Sequence, residues 1–120
     1  MNESENKVNG LITTTDGMDN NNSYNVVLMI SVTDTNKTIT ANTVLDGFNI
    51  TGGRANGSGN SYGNGGAIHC DGSGIDNECS PTLRNLVISG NWAYAGGALY
   101  NGANSGGISK TTLDLSLIHI

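Results

Sequence analysis

The residues of this sequence best suited to chemistry lie between positions 69 and 79. Cys70 and Cys79 enclose the polar stretch DGSGIDNE, and His69 precedes the first cysteine. Two cysteines at this spacing can close a surface loop through a disulfide, which is the favoured interpretation for an extracellular chain, whereas two free thiols would suit a cytosolic one. A metal site built from His69 and the two thiolates lacks a convincing fourth ligand, so we predict no metal there.

The loop between the cysteines is acidic. Its carboxylates, Asp71, Asp76 and Glu78, could bind Ca²⁺ together with backbone oxygens. Their spacing does not follow the twelve-residue Asp-rich calcium loop, which needs alternating ligands and a late glutamate. They are weak calcium candidates beside the simpler interpretation of a solvated acidic loop, and we expect no cofactor.

Two near copies of one motif indicate an internal repeat: GNGGAIHC at 63–70 and YAGGALYN at 94–101. A second pair, VLDGFNITGGRA at 44–55 and TLRNLVISGNWA at 82–93, aligns its apolar positions. The aligned pairs are Leu45 with Leu83, Phe48 with Leu86, and Ile50 with Ile88. The alternation predicts strands with one buried face, and such a repeat buries its apolar residues only when units stack. We therefore predict an all-β solenoid of parallel strands with roughly three coils and no helices.

The turns of the repeat carry Gly and Asn at matching places. Gly47 aligns with Asn85, and Gly53 aligns with Asn91. Both residue types tolerate a left-handed backbone, so the alignment predicts left-handed turns at these positions. The glycine-rich stretch 52–66 has no helical pattern or Gly-Lys-Ser/Thr sequence after it, so we interpret it as a long flexible turn instead of a phosphate-binding loop.

Aromatic residues are the candidates for surface binding. His69 and Tyr100 occupy equivalent positions of the repeated motif, and we place both rings outward, with Ile68 and Leu99 inward. Their stacking could simply stabilise the sheet face. Alternatively, His69 and Tyr100 could form a platform for a sugar or a protein partner, with Trp92 and Tyr94 nearby.

A catalytic cluster is not evident. Asp46, Arg84 and Asp114 fall at one position of the repeat, where a solvent-facing ion pair is the simpler interpretation. Asp71 falls elsewhere in the repeat. We therefore expect this segment not to be an enzyme.

Composition restricts the location and the partners. Only 12% of the residues are charged and 36% are hydrophobic, which indicates a thin core and a surface rich in Asn, Ser, Thr and Gly. The formal charge is −5 and the five basic residues are scattered, so we expect no nucleic-acid binding. The longest apolar run, Val26–Val32, is too short to span a bilayer.

The GGAI motif followed by TLRNLVISGNWA resembles the repeats of polymorphic outer membrane proteins. More broadly, it resembles the right-handed parallel β-helix (pectin-lyase-like) repeats of bacterial surface adhesins, over roughly Asn42 to Asp114. The aromatic-x-x-Asn motif of the former is not cleanly present, because Trp92 and Tyr94 follow Asn91. The resemblance implies an extracellular or outer-membrane location, and a non-catalytic structural or adhesive role with host or matrix glycans or proteins as partners. The alternative is part of a polysaccharide lyase or glycoside hydrolase of this fold, with its catalytic coils elsewhere.

We expect three regions along the chain. Residues 1–22 are expected to be irregular or to belong to a truncated upstream segment, and residues 23–114 to form the coils. The last six residues, LSLIHI at 115–120, resemble the translation of a transposase mosaic-end adapter used in sequencing libraries. We therefore expect residues 115–120 to be a non-native tail of a fragment.

Overall fold

The computed structural model describes residues 7–8, 11–12, 22–31, 38–114 and 117–118. Within these ranges the chain forms short strands and one helical turn, α1 (Asn60–Gly63). The strands before α1 are β1 (Lys7–Val8), β2 (Leu11–Ile12), β3 (Val27–Ile30), β4 (Val44–Asp46), β5 (Asn49–Ile50) and β6 (Arg54–Ala55). The strands after it are β7 (Ile68–Asp71), β8 (Thr82–Arg84), β9 (Val87–Ile88), β10 (Trp92–Ala93), β11 (Leu99–Gly102), β12 (Thr112–Asp114) and β13 (Leu117–Ile118).

Apart from the antiparallel pair β1–β2, all the described strands pair in parallel with their counterparts in the repeat. Three sheets have three strands each, in the orders β3-β7-β11, β4-β8-β12 and β5-β9-β13, and a fourth pairs β6 with β10. The chain thus comprises a first unit (β3 to β6), a central unit (β7 to β10) and a third unit (β11 to β13). The central unit supplies the middle strand of every three-stranded sheet.

The register of these sheets follows the sequence repeat. Leu45 and Leu113 both lie opposite Leu83, and Ile50 lies opposite Ile88. Tyr100 lies opposite His69, as the two copies of the GGA motif predict. The all-β class, the parallel pairing and the alignment of the repeat are therefore confirmed.

The apolar core is narrow and centred on the central unit. Its largest fully buried aliphatic side chains are Ile68, Leu83, Leu86 and Ile88. Leu83 is completely buried, whereas its counterpart Leu113 in the third unit is 46% exposed. A unit in this fold buries its apolar side chains mainly by packing between two neighbours, as expected for stacked repeats.

The same reason corrects one expectation. The alignment with Leu86 predicts a buried Phe48, but Phe48 is 54% exposed and Leu86 only 1% exposed. Phe48 belongs to the first unit, which pairs with the central unit on one side only within the described residues. Alignment fixes a position in the repeat but not how many neighbours cover it.

Positive backbone angles mark the turns between strands. Gly47 and Asn85 have φ of 81° and 51°, as predicted for the first turn. At the second turn the left-handed residues are Gly52 and Gly90, one position before the predicted pair Gly53 and Asn91. Gly53 is needed for a different reason, because a Cβ there would overlap the carbonyl oxygen of Gly66.

The expected region boundaries fall partly on residues outside the described ranges. Within 1–22, the structure describes β1, β2 and Asn22, so part of this segment pairs antiparallel. Within 115–120, it describes only Leu117 and Ile118, which pair with Val87 and Ile88 and continue the register of the third sheet. In the described part of the chain, no helix has the length and apolar character needed to cross a membrane.

Candidate functional site

Cys70 and Cys79 form a disulfide in the interior of the central unit. Cys70 lies on β7, and Cys79 lies on the segment that bridges in parallel to Ile39. Both cysteines are fully buried, and the loop that the bond closes carries the exposed residues Ile75 and Asp76. The Ser109 hydroxyl of the third unit donates to the carbonyl oxygen of Cys79 at 3.1 Å. The disulfide therefore links β7 to the segment around Cys79, which follows it in the same unit.

Polar groups of the acidic loop form hydrogen bonds within the protein. The Asp71 carboxylate accepts a hydrogen bond from the Ser73 backbone N–H at 2.9 Å. Asp76 is exposed and adopts a left-handed conformation, with φ of 64°. Glu78 donates its backbone N–H to the Ser31 hydroxyl. Within the described ranges, no three His, Cys, Asp or Glu side chains come close enough together to hold a metal ion, so Asp71, Asp76 and Glu78 do not form such a group.

The row of Asp46, Arg84 and Asp114 forms as aligned and contains an ion pair between Arg84 and Asp114. The guanidinium Nε of Arg84 lies 3.3 Å from a carboxylate oxygen of Asp114. Asp46 instead accepts a hydrogen bond from the side-chain amide of Asn85 at 2.9 Å. Because the Arg84 and Asp114 side chains are almost half exposed, solvent screens this pair and limits its contribution to stability.

His69 and Tyr100 pair edge-to-face, with ring centroids 5.1 Å apart. Register places His69 in the outward row between Leu28 and Tyr100, as predicted. However, His69 is only 1% exposed, and the backbone of Gly65 lies so close that a Cβ on this glycine would come within 2.7 Å of the His69 Cβ. A buried ring of this kind is suited to packing and not to contact with a ligand, so the predicted platform is not open at His69.

Trp92 and Tyr94 form a second aromatic pair, with centroids 4.9 Å apart and an interplanar angle of 72°. Trp92 lies on β10 opposite Arg54 of β6, and the Arg54 guanidinium carbon lies 5.9 Å from the indole centroid. This distance allows a cation–π contact. Tyr94 is 70% exposed, so this pair, unlike His69, presents an aromatic surface to solvent.

Two further tyrosines, Tyr24 and Tyr62, form another aromatic pair near Arg54. Tyr24, just before β3, packs against Tyr62 of α1 at a centroid distance of 5.1 Å, and both are exposed. The contact corrects the interpretation of residues 52–66 as a long flexible turn, since the stretch contains β6 and α1 and packs against the first unit.

A buried asparagine fixes the backbone behind the aromatic residues. The Asn91 side-chain oxygen accepts the Gly53 N–H at 2.9 Å, and its amide nitrogen donates to the carbonyl oxygens of Ile50 and Ser89, both at 3.0 Å. Buried backbone groups need such partners, and Asn91 supplies three in one place. The Asn91 side chain therefore links the chain just before β10 to the turn between Ile50 and Gly53 in the first unit.

Sequence reasoning found Trp92 and Tyr94 but not Arg54, Tyr24 or Tyr62. The alignment of GRA with NWA already placed Arg54 opposite Trp92 and was a usable signal. Tyr24 and Tyr62 had none, because they are 38 positions apart and lie outside the repeated strands.

The chain is all-β, its strands pair mainly in parallel sheets, and Tyr94, Tyr24 and Tyr62 give it an exposed aromatic surface. Comparison with protein-family models, curated protein sequences and solved structures finds no match at a significant level. Function must therefore be argued from the residues themselves.

Proposed function

We propose that this chain forms coils of a right-handed parallel β-helix that is secreted or displayed on a bacterial surface, where it acts as a non-catalytic scaffold and adhesive surface. The observation that carries the proposal is the constant register of the parallel sheets, in which each strand of the central unit pairs with its counterpart in a neighbouring unit. Parallel strands joined by a long connection within one sheet are right-handed in nearly all proteins, which supports the handedness.

Three further features support an extracellular scaffold. The central unit contains a disulfide, and such bonds persist in oxidising compartments. The interior is filled by aliphatic side chains and the disulfide, which suits a structural column. The motif GGAI with TLRNLVISGNWA resembles the repeats of polymorphic outer membrane proteins and of other β-helix surface proteins.

A non-catalytic role is supported by the placement of the carboxylates. Asp46 and Asp114 lie on either side of Arg84 in one ladder, and Asp71 lies in another, opposite Gly102. Hydrolysis of a glycosidic bond generally uses two carboxylates facing that bond, and the ladder pairs Asp114 with Arg84 instead.

The test uses the purified 120-residue chain in two assays. In the first, immobilised chain is presented with a glycan array and with collagen and fibronectin, and we expect saturable retention of at least one probe. In the second, the chain is incubated with pectin, alginate, cellulose and xylan, and reducing or unsaturated ends are measured. We expect no turnover. Turnover above that of heat-denatured chain would favour a lyase or hydrolase, and the absence of retention on every probe would refute the adhesive role.

A further inference from the structure

Four aromatic rings and one guanidinium gather where the first and central units meet. We call this group the aromatic corner, and it consists of Tyr24, Arg54, Tyr62, Trp92 and Tyr94. Two ring pairs and one cation–π contact hold it together. The backbone joins the halves, because Arg54 donates its N–H to the carbonyl oxygen of Ser23, next to Tyr24, at 2.8 Å.

One glycine allows the rings to assemble. A Cβ on Gly57 would lie 2.7 Å from the Cβ of Tyr62, closer than real Cβ atoms approach, and 3.0 Å from the ring of Tyr24. The carbonyl oxygen of Gly63 accepts the N–H of Tyr94 at 2.9 Å. The loop that carries Tyr62 is therefore held between the two ring pairs.

The aromatic corner differs in charge from the rest of the chain. The protein has a formal charge of −5, yet Arg54 is the sole Asp, Glu, Lys or Arg in the described segments 22–31, 47–70 and 85–109, from which the corner is built. The nitrogen Nε of Arg54 is buried and makes no hydrogen bond within the described chain. Within the described residues no carboxylate forms an ion pair with Arg54, and a guanidinium is well suited to bind a carboxylate or sulfate group.

The rings define the shape of that ligand. Tyr94 and Tyr62 are 70% and 55% exposed, and the loop beside them is made of Gly, Asn and Ser. An aliphatic peptide anchor or a lipid chain would need an apolar surround, which these residues do not supply. A sugar ring has an apolar C–H face for the aromatic rings and hydroxyl groups for the polar surround.

We propose that the aromatic corner binds an anionic glycan, with a sugar ring against Tyr94 and Tyr62 and a carboxylate or sulfate group on Arg54. The site names the ligand class for the adhesive role and rests on that proposed function. Trp92 orients the guanidinium through the cation–π contact, and Asn91 fixes the strand that carries Trp92.

The experiment titrates the intact chain with three hexasaccharides and follows both the fluorescence of Trp92, the sole tryptophan, and the heat of binding. A heparin-derived hexasaccharide carries sulfate and carboxylate, a hyaluronan hexasaccharide carries carboxylate alone, and cellohexaose is neutral. We expect saturable binding of at least one anionic probe and binding of cellohexaose weaker by at least about tenfold, the worth of one charge-assisted hydrogen bond. The comparison of heparin and hyaluronan shows which anionic group is preferred.

Variants assign the binding to the corner. Arg54→Gln and Tyr94→Ala are each expected to weaken binding by about tenfold or more. Arg84→Gln is the matched control, because it removes the same charge from a different sheet, where Arg84 faces Asp114. It is expected to leave the affinity unchanged. Urea unfolding midpoints of all variants show whether a loss of binding follows from a loss of fold.

The opposite outcomes overturn the inference. An equal loss in Arg84→Gln would indicate general electrostatic attraction, and equal binding of cellohexaose would remove the role of Arg54. Retention of a glycan or matrix protein that survives both Arg54→Gln and Tyr94→Ala would place the adhesive surface elsewhere and leave the proposed function standing. Retention of no probe at all would refute both.

Discussion

Stacking of neighbours, and not the residue type alone, should set how much each apolar side chain contributes to stability. Leu83, Leu45 and Leu113 occupy one position in three successive units, and Leu83 is fully buried whereas Leu113 is 46% exposed. Replacing Leu83 by Ala removes about 2.4 kcal/mol of transfer free energy, at about 0.8 kcal/mol per buried carbon, and the cavity adds about 1 kcal/mol more. We therefore expect Leu83→Ala to lower the free energy of unfolding by about 3.4 kcal/mol.

Leu113→Ala is the matched control, with the same chemical change at the equivalent position. Because nearly half of its side chain already contacts water and no closed cavity forms, we expect a loss of about 1 kcal/mol. Equilibrium urea unfolding followed by Trp92 fluorescence measures both values. If Leu83→Ala leaves too little folded protein, Ile88→Val probes the same buried unit at a cost of about 1 kcal/mol. Equal losses in Leu83→Ala and Leu113→Ala would refute the reasoning.

Three other predictions test the bonds and turns. Replacing both Cys70 and Cys79 by Ala releases a closed loop of about ten residues and should lower the free energy of unfolding by about 2.7 kcal/mol, measured by urea unfolding against the wild type with and without reductant. Asn91→Ala should cost at least about 2 kcal/mol because the Gly53 N–H and the Ser89 carbonyl oxygen lose the bonds that Asn91 supplies, although the Ile50 carbonyl keeps the Ser89 N–H; the exposed Asn49→Ala should change the urea midpoint little. Gly47→Ala should cost about 1 kcal/mol by thermal denaturation through backbone strain alone, because φ is 81° and nothing lies within 4 Å of the added Cβ; an unchanged melting temperature would contradict this.

The register of the sheets could be predicted because it is written twice in the sequence. Aligning two copies of a strand identifies which residues lie opposite one another, and Ile50 with Ile88 and His69 with Tyr100 follow directly. Burial could not be obtained in the same way. The burial of a side chain depends on which neighbouring units cover its position, so Phe48 is exposed although its counterpart Leu86 is buried.

The candidate site was harder to predict for a related reason. His69 lies in the outward row as expected, but the Gly65 backbone lies against it and the ring is buried. The exposed aromatic surface instead depends on Tyr24 and Tyr62, which meet through a loop that has no counterpart in the repeat. Repetition predicts contacts between equivalent residues, whereas binding surfaces often arise where the units differ.

The disulfide shows how burial governs chemistry at one position of the repeat. Register assigns the same pair of positions to Met29 and Ile39 in the first unit, to Cys70 and Cys79 in the central unit, and to Asn101 and Ser109 in the third. In the third unit Asn101 is exposed, and its side-chain oxygen lies 3.1 Å from the Ser109 hydroxyl, whose single proton is shared between this oxygen and the Cys79 carbonyl. A polar pair is tolerated in the third unit because water can hydrogen-bond to it. The central unit is covered on both sides, so a poorly satisfied polar pair there would carry a desolvation penalty. A disulfide avoids that penalty and joins β7 to the segment around Cys79, which the thin aliphatic core alone holds only weakly. The bond therefore stabilises the unit that its neighbours bury most deeply, through buried sulfur atoms that close the loop between β7 and Cys79.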